Sequence, residues 1–532
     1  MAGGAWALAY PTFNVAGLAW LAPALMLGAA FGASPGTAFR LGYVTGLTQS
    51  LVTLHWLLFI PVKFAPVLGW LALSAYCALY PAAWLWFCRR ICPGVPPREF
   101  RSGGDLERAI ESFMAAGWWR RSGWALACAV AWVAGEMVLA RLFTGFPWAP
   151  LGVTQHRMLP VIQFASVTGV YGVSFMMVWL SAALFCAGVS VLPRSPARRP
   201  LMLEVFVPML ALLGLVTSGL RPLLRPALPG ETVKLALIQP SIPQTMIWDP
   251  AESTRRFQAL LQLSEHAATN RPDVLIWPEA AVPSLLRWDT NIYQPVIELA
   301  RRRRVWLIMG ADDAERSVQE PSRIDYFNSS FLVTPRGEVA ATYRKRRLVI
   351  FGEYVPLRRW LPFLKYLTPI EGGFTPGTGV VPFALPELGL NVSVLICFED
   401  VFPHLVRHYV NPDTDFLLNL TNNGWFGESA AHWQHAAAAV FRAVENGVPL
   451  VRCANNGISC WIDAQGRMND VFFPGSANVY QPGIKVVTVP TRSDGLRGKT
   501  LYRRYGDWFG WMCVVLTAAL AGGRVLHRER RP

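Results

Sequence analysis

The sequence predicts a multi-pass α-helical membrane domain of about eight transmembrane helices together with an inserted α/β domain. Hydrophobic residues make up 53% of the 532 residues, and 22 residues are tryptophan, so the chain is more apolar than an ordinary soluble protein. Up to about residue 220, apolar stretches of about 20 residues follow one another, and each is long enough to cross roughly 30 Å of hydrocarbon. From about 230 to 495, short apolar strands alternate with polar or helical stretches, which is typical of α/β domains.

Residues 1–220 are assigned to about seven transmembrane helices. The opening stretch, 1–10, is short, and we expect no cleavable signal peptide, because a basic N-terminal region is missing and the apolar pattern continues. The clear spans are 16–34, 41–62, 66–88, 122–142, 168–192 and 201–219.

A proline-rich linker, 221–232, joins these helices to the α/β domain, 233–495. A last apolar span near 508–521 assigns 496–532 to a final helix and a cytoplasmic tail. The α/β domain is therefore inserted between membrane helices. Its apolar strands are 233–238, 274–277, 305–309, 392–396 and 416–420.

The net charge of +15 does not indicate nucleic-acid binding, because most of the excess arginine lies beside apolar stretches, where membrane topology explains it. These arginines mark alternate connections and the C-terminus as cytoplasmic, which predicts that the α/β domain lies on the opposite face. In a bacterium with two membranes, that face is the periplasm. The arginines are Arg89, Arg90, Arg98, Arg101, Arg194, Arg198, Arg199, Arg524, Arg528, Arg530 and Arg531.

Candidate chemistry lies at the ends of apolar strands, where α/β folds place their sites. Glu279 follows one strand in a Pro-Glu pair, and Cys397 follows another and precedes two acids. A basic run containing Lys345 leads to a Gly-Glu-Tyr turn containing Glu353. Each feature alone also fits an ordinary role, because strand-end thiols are usually core and basic runs are usually solvated.

Other reactive side chains are weaker candidates. Five of the nine cysteines lie in or beside apolar stretches and behave as small hydrophobic residues. Cys453 and Cys460 flank the turn 455–457 and form either a disulfide or two buried thiols. His432 and His435 are spaced i, i+3 without a clear third ligand, so we expect no metal and no cofactor.

The order of Glu279, Lys345 and Cys397 within one α/β domain resembles the nitrilase superfamily. An α/β domain of this kind inserted before the last membrane helix resembles the domain organisation of the apolipoprotein N-acyltransferases of bacterial inner membranes. This resemblance covers essentially the whole chain. The resemblance implies an αββα sandwich. It departs from the family at Phe398, where tyrosine is common, at Ile350, where proline is usual, and in a short first helix. The matching stretches are 146–148, 168–172, 239–244 with Trp248, 351–356, 421–427 and 455–457.

This resemblance implies that Cys397 attacks an acyl ester while Glu279 accepts its proton. The Lys345 ammonium and the backbone N–H of Phe398 would then stabilise the oxyanion. Glu353 and Glu399 are expected as supporting groups. The product of this first step would be a thioester.

The implied partners are a phospholipid acyl donor, a diacylglyceryl apolipoprotein acceptor and the bilayer. No oligomerisation pattern is present, so we expect a monomer. Aromatic residues and Tyr354 are candidates for binding or gating the lipids, although core or interface packing explains the aromatics equally well. These residues are Trp148, Trp248, Tyr354, Trp425 and Phe426.

Two other functions share parts of this pattern. A membrane-tethered nitrilase or amidase would use the same three residues to hydrolyse a carbon-nitrogen bond, but it would have no need of about eight spans. A transporter or receptor with a degenerate domain would not be expected to retain all three groups.

Overall fold

The computed structural model describes residues 1–95, 103–191, 201–224, 230–317, 320–356, 360, 373–491 and 500–529. The chain forms two compact units. The helical unit comprises Met1–His55, Gly69–Arg225 and Arg504–Pro532. The α/β unit comprises Trp56–Leu68 and Pro226–Arg503.

The helical unit confirms the predicted helical membrane domain. Four of its helices are long and apolar enough to cross a membrane among the described residues: Ala65–Arg90, Trp118–Leu139, Val170–Val191 and Leu203–Leu224. Shorter apolar helical segments occur at Ala16–Ala30, Leu159–Thr168 and Trp508–Gly522. The first ten helices are α1 Ala2–Leu8, α2 Ala22–Ala30, α3 Pro35–Thr53, α4 Ala65–Arg90, α5 Gly103–Ala115, α6 Trp118–Leu139, α7 Leu159–Ile162, α8 Ala165–Thr168, α9 Val170–Val191 and α10 Leu201–Leu224.

Two features of this unit differ from the sequence-based expectation. The predicted span 41–62 is replaced by α3, which begins at Pro35 behind the capping hydroxyl of Ser34 and ends at Thr53. Helix α5, Gly103–Ala115, was not predicted, because its apolar residues form one stripe among charged residues rather than a continuous run.

A buried ion pair joins two helices of this unit. Arg121 Nε in α6 donates to Glu204 Oε1 in α10 over 2.6 Å, and both side chains are 1% exposed. Arg121 Nη1 also donates to the carbonyl oxygens of Phe113 and Met114 at the end of α5. One guanidinium on α6 therefore satisfies acceptors on two other helices, α10 and α5.

In the described part of the α/β unit, twelve strands form two six-stranded sheets. The strand orders are β12-β1-β2-β3-β4-β5 and β11-β10-β9-β8-β7-β6. The central strands of each sheet, β1-β2-β3 and β7-β8-β9, are parallel. The strands are β1 Thr232–Gln239, β2 Val274–Ile276, β3 Trp306–Arg316, β4 Ile324–Val333, β5 Val339–Arg344, β6 Pro382–Leu385, β7 Leu390–Ile396, β8 Phe416–Thr421, β9 Leu450–Ala454, β10 Cys460–Ile462, β11 Met468–Asn469 and β12 Gly483–Pro490.

Helices cover the outer faces of the two sheets. Helices α12 and α13 share a core with β1, β2 and β3, and α15 packs on β9 and β10. The sheets face each other, since the Cys453 thiol of β9 donates to the carbonyl oxygens of Ile238 and Ile276 in the opposite sheet. This arrangement is the expected αββα sandwich. The remaining helices are α11 Gln244–Ile247, α12 Ser253–Ala268, α13 Thr290–Arg303, α14 Pro403–Val406, α15 Ala430–Asn446, α16 Leu501–Tyr505 and α17 Trp508–Glu529.

The segment Trp56–Leu68, between α3 and α4, belongs to the α/β unit. Trp56 Nε1 donates to Gln434 Oε1 of α15 over 3.1 Å, and its ring packs on Phe426 with a centroid distance of 4.6 Å. Phe59 lies against Gly427. Because the segment is apolar, most of it was assigned to the predicted membrane spans 41–62 and 66–88.

Some predictions concern residues that lie partly or wholly outside the described residues. Of the predicted linker 221–232, Arg221 to Leu224 continue α10 and β1 begins at Thr232, whereas 225–229 lie outside the described residues. Arg98, Arg101, Arg194, Arg198, Arg199, Arg530 and Arg531 also lie outside them. Cys453 and Cys460 are both buried free thiols.

Replacing Arg121 with Met should lower the free energy of unfolding of the helical unit by about 3 to 5 kcal/mol, because Glu204 would remain buried without its partner. The double substitution Arg121→Met with Glu204→Met should recover much of this loss, since no buried charge is left. Thermal unfolding of the purified protein in detergent measures both. Equal stability of the single and double variants would contradict an energetic coupling of the pair.

Candidate active site

Glu279 lies just beyond the carboxyl end of β2 and is 6% exposed. Its Oε1 accepts hydrogen bonds from Lys345 Nζ and Asn328 Nδ2, and its Oε2 accepts one from the backbone N–H of Asn422. Gly310 on β3 makes room for this segment, because a Cβ there would lie 2.6 Å from Glu279 Cα. The carboxylate is therefore held by three donors and by a close backbone approach.

Lys345 follows β5 and is 1% exposed. Its ammonium donates to Glu279 Oε1 over 3.1 Å and to Glu353 Oε1 over 2.9 Å. Glu353 Oε2 accepts the backbone N–H of Val349 over 2.8 Å. Two of the three ammonium hydrogens are thus used, and no partner for the third is found among the described residues.

Asn328, in the middle of β4, was missed by the sequence reasoning. Its amide nitrogen donates to Glu279 Oε1 over 2.8 Å and to Glu353 Oε1 over 2.7 Å, and the residue is 6% exposed. Its backbone carbonyl accepts the N–H of Lys345. A single asparagine therefore bridges both carboxylates and fixes the lysine backbone, but an asparagine within a strand gives no signal of this role.

Cys397 begins a 3-10 turn, Cys397–Val401, directly after β7. Its φ of 55° lies in the left-handed region, which is strained for a residue with a Cβ. Asn419 Nδ2 on β8 donates to the Cys397 carbonyl oxygen over 2.7 Å, and Thr421 Oγ1 lies 3.7 Å from Sγ. The neighbouring strand thus fixes the strained turn and contacts the sulfur.

The charges of the first sheet act on this thiol. Burial raises the pKa of Cys397, the negative charges of Glu279 and Glu353 raise it further, and the positive charge of Lys345 lowers it. Burial by itself would lower the pKa of Lys345, but the charges of Glu279 and Glu353 outweigh burial and raise it well above its usual value. These directions favour a charged Lys345 ammonium and a neutral Cys397 thiol, so forming the thiolate requires a base.

Asp312 on β3 is a further carboxyl group near these charges that the sequence reasoning missed. Burial raises its pKa to about 7, and the negative charges of Glu353 and Glu279 contribute to the increase.

Glu399 is fully buried in the turn that carries Cys397. It accepts backbone N–H groups from Ile396, Arg346 and Arg347 and the hydroxyl of Tyr343. Because Arg346 and Arg347 directly follow Lys345, this carboxylate links the turn that carries Cys397 to the strand end that carries Lys345.

Phe398 occupies the second position of the 3-10 turn, where backbone N–H groups have no partner within the helix. Its ring packs edge-on against Phe402 with a centroid distance of 5.2 Å and lies 5.8 Å from Lys345 Nζ. The N–H predicted to bind an oxyanion is thus on the residue that directly follows the nucleophile.

The candidate lipid-contact residues are divided between the two units. Trp248, which is 39% exposed, packs against Trp425 with a centroid distance of 5.1 Å. Trp425 and Phe426 follow β8 in the 3-10 turn Asn423–Phe426. Trp148 instead lies in the helical unit, where it is buried and stacked on Phe146. Tyr354 follows Glu353, and its carbonyl accepts the N–H of Phe351.

The two histidines of α15 have protein partners. His432 Nε2 contacts the carbonyl oxygen of Gly427, and His435 contacts Asp400 and Asn423. The described residues contain no group of three or more His, Cys, Asp or Glu side chains placed to hold a metal ion.

The arrangement combines a nucleophilic sulfur, a buried carboxylate and a buried cation at adjoining strand ends. Together these groups suit proton abstraction from the thiol and stabilisation of an oxyanion formed by its attack on a carbonyl.

The reactivity of Cys397 should respond to these charges in opposite directions. Glu279→Gln removes a negative charge that raises the thiol pKa, so alkylation of Cys397 by iodoacetamide at pH 7.5 should accelerate, by about tenfold per unit of pKa. Lys345→Met should slow it. Peptide mass spectrometry of the full chain across a pH series measures both rates. Glu338→Gln, an exposed glutamate between β4 and β5, should have no effect, and identical rates in all four proteins would disprove the electrostatic account.

Comparison with protein families gives two matches in this chain. Residues 2–183 match the apolipoprotein N-acyltransferase N-terminal domain, and residues 234–492 match the carbon-nitrogen hydrolase family. An amidase from Nesterenkonia sp. is a solved structure similar to 49% of this chain and 92% of its own, with 20% sequence identity and a TM-score of 0.36.

Curated relatives match both units at once. A protein of Geobacter metallireducens named apolipoprotein N-acyltransferase is 36% identical over 97% of this chain and 92% of its own length. One of Vibrio cholerae with the same name is 29% identical over 98% of this chain and 95% of its own. The similarity thus extends through the helices as well as the α/β unit, and the chain belongs to the apolipoprotein N-acyltransferase family.

Proposed function

We propose that this protein transfers a fatty acyl group from a membrane phospholipid to the α-amine of the N-terminal diacylglyceryl-cysteine of apolipoproteins. The observation that carries the proposal is the buried ammonium of Lys345 between Glu279 and Glu353, whose charges act on the strand-end thiol of Cys397. The acceptor follows from the name shared by relatives that match almost the whole chain.

In the first half-reaction, Glu279 takes the proton of the Cys397 thiol as the sulfur attacks the ester carbonyl carbon of the phospholipid. The oxyanion accepts a hydrogen bond from the unused ammonium hydrogen of Lys345 and one from the backbone N–H of Phe398. Each such donor is worth roughly 3 kcal/mol in the transition state. The C–O bond then breaks, Glu279 returns the proton to the leaving oxygen, and a lysophospholipid departs from the thioester.

In the second half-reaction, the α-amine of the apolipoprotein attacks the thioester carbon. Glu279 removes a proton from the attacking nitrogen and returns one to the departing sulfur, so an amide forms and the free thiol is regenerated. Glu353 keeps Lys345 charged and oriented, and Glu399 holds the turn that carries Cys397. The reaction is ping-pong and uses no cofactor.

Both substrates are membrane lipids, which accounts for the combination of a catalytic domain with helices of membrane-spanning length. We propose that residues 1–220 and 496–532 anchor the protein in the bacterial inner membrane and that the catalytic domain, 233–495, lies in the periplasm, in keeping with the arginine distribution. Trp248, Trp425 and Phe426 would contact the lipid chains. The protein would act as a monomer.

Incubation of the purified protein with phospholipid should add the mass of one fatty acyl group at Cys397, and the adduct should be cleaved by hydroxylamine. Cys397→Ala should abolish the adduct and N-acylation while leaving protein abundance unchanged, and Glu279→Gln should prevent thioester formation. Hydrolysis of a small amide without an acyl adduct would instead identify an amidase. N-acylation by the Cys397→Ala variant would refute the thiol mechanism.

Asn328→Ala should reduce the rate of thioester formation by about a hundredfold, because both carboxylates that hold the Lys345 ammonium lose a charge-assisted hydrogen bond from the side-chain amide. Single-turnover acylation measures this rate, and the unfolding temperature separates it from a loss of fold. Asn291→Ala, on the exposed surface of α13, is the matched control. A folded Asn328→Ala variant with the wild-type rate would exclude the bridging role.

A further inference from the structure

A series of buried polar contacts leads from the sulfur of Cys397 to helix α15. Thr421 Oγ1, at the end of β8, lies 3.7 Å from Cys397 Sγ and 3.2 Å from the side-chain amide of Asn423. The same amide lies 3.2 Å from Nδ1 of His435. His435 Nε2 in turn bonds to Asp400. None of these contacts was anticipated from the sequence.

The charges at the far end of the series determine the protonation of His435. Asp400 is already paired with Arg452, and all three side chains are 1% exposed or less. A proton on His435 would add a second cation to this enclosed site, and burial lowers the pKa of the imidazole. The negative charge of Asp400 raises this pKa, but burial outweighs it, so the neutral imidazole is favoured. Because Nε2 faces the Asp400 carboxylate, Nε2 carries the hydrogen and Nδ1 is an acceptor.

An acceptor at His435 Nδ1 requires a donor on Asn423. As placed, Oδ1 of Asn423 faces both His435 Nδ1 and Thr421, while Nδ2 is buried without a partner in the described part of the chain. The oxygen and nitrogen of an amide have the same shape, so their order is decided by the hydrogen bonds they make. With the amide turned over, Nδ2 donates one hydrogen to His435 Nδ1 and the other to Thr421 Oγ1.

In this orientation of the Asn423 amide, the Thr421 hydroxyl hydrogen is free to bond to an acceptor other than Asn423. Its oxygen accepts from Asn423, and the other polar contact of this hydroxyl among the residues that the structure describes is the sulfur of Cys397. We propose that Thr421 is a further catalytic residue that donates a hydrogen bond to the Cys397 sulfur and stabilises the thiolate, and that Asn423, His435 and Asp400 are positioning residues that set the direction of this bond. The inference rests on Cys397 being the nucleophile of the proposed function.

The hydrogen bond matters because few groups favour the thiolate. Burial and the carboxylates of Glu279 and Glu353 oppose it, and Lys345 supports it. When Cys397 attacks, its S–H bond breaks and the proton passes to Glu279, while the O–H bond of Thr421 stays intact and its hydrogen approaches the negative sulfur. Thr421 thereby opposes part of the cost of forming a thiolate beside two carboxylates.

Two substitutions of Thr421 separate the hydroxyl from the shape of the side chain. In the full-length protein in phospholipid nanodiscs, Thr421→Val should slow single-turnover thioester formation about ten- to a hundredfold and shift alkylation of Cys397 to higher pH. Thr421→Ser should stay within about threefold of wild type. Ser393→Ala, which removes a buried hydroxyl on the neighbouring strand β7, should leave both measurements unchanged.

A double substitution tests the positioning residues. Asn423→Asp puts acceptors alone beside Thr421 and draws its hydrogen away from the sulfur, so Thr421→Val should cost much less in that background than in wild type. A Thr421→Val protein with the wild-type pH profile, or an undiminished effect of Thr421→Val in the Asn423→Asp protein, would overturn the inference. Failure of the wild-type protein to form a thioester would instead overturn the proposed function.

Discussion

The candidate site depends on the buried ion pairs that the Lys345 ammonium forms with Glu279 and Glu353. A buried cation without partners costs several kcal/mol, so it is stable only where anions and hydrogen bonds replace water. Glu279 and Glu353 provide those anions in the same way: Oε1 of each faces the ammonium and Asn328, and Oε2 of each accepts a backbone N–H. Because one ammonium faces two carboxylates, removing Lys345 would leave both buried carboxylates without this cation.

The second requirement is that two different sheets meet at this cluster. Glu279 and Lys345 belong to the first sheet and Cys397 to the second. Packing alone would hold the sheets about 10 Å apart, with some freedom to slide. Glu399 limits that freedom, because it accepts backbone N–H groups from the segment after β5 and from Ile396 before the nucleophile. Its importance is therefore positional and does not require contact with a substrate.

The residues that could be predicted are those whose position in the sequence is itself informative. A carboxylate or thiol directly after an apolar strand lies at a sheet edge, which indicated Glu279 and Cys397. The basic run and the Gly-Glu-Tyr turn indicated Lys345 and Glu353, and the family resemblance added Glu399. Asn328, Asn419 and Thr421 are polar residues within or at the end of strands, and only the pairing of those strands brings them to the site. That Trp56–Leu68 belongs to the α/β unit could not be predicted either, because an apolar loop and the end of a membrane span have similar compositions.

That segment also constrains the order in which the chain crosses the bilayer. Trp56 and Phe426 touch within one compact unit although they are far apart in the sequence, and parts that pack together must lie on the same side of a membrane. An even number of crossings must therefore separate them. Among the described residues, the helices of spanning length and hydropathy are α4, α6, α9 and α10, and all four fall between the segment and the strands. Because Trp56 and Phe426 touch, deleting or adding a single crossing in this interval would place the two parts of the α/β unit on opposite faces of the membrane.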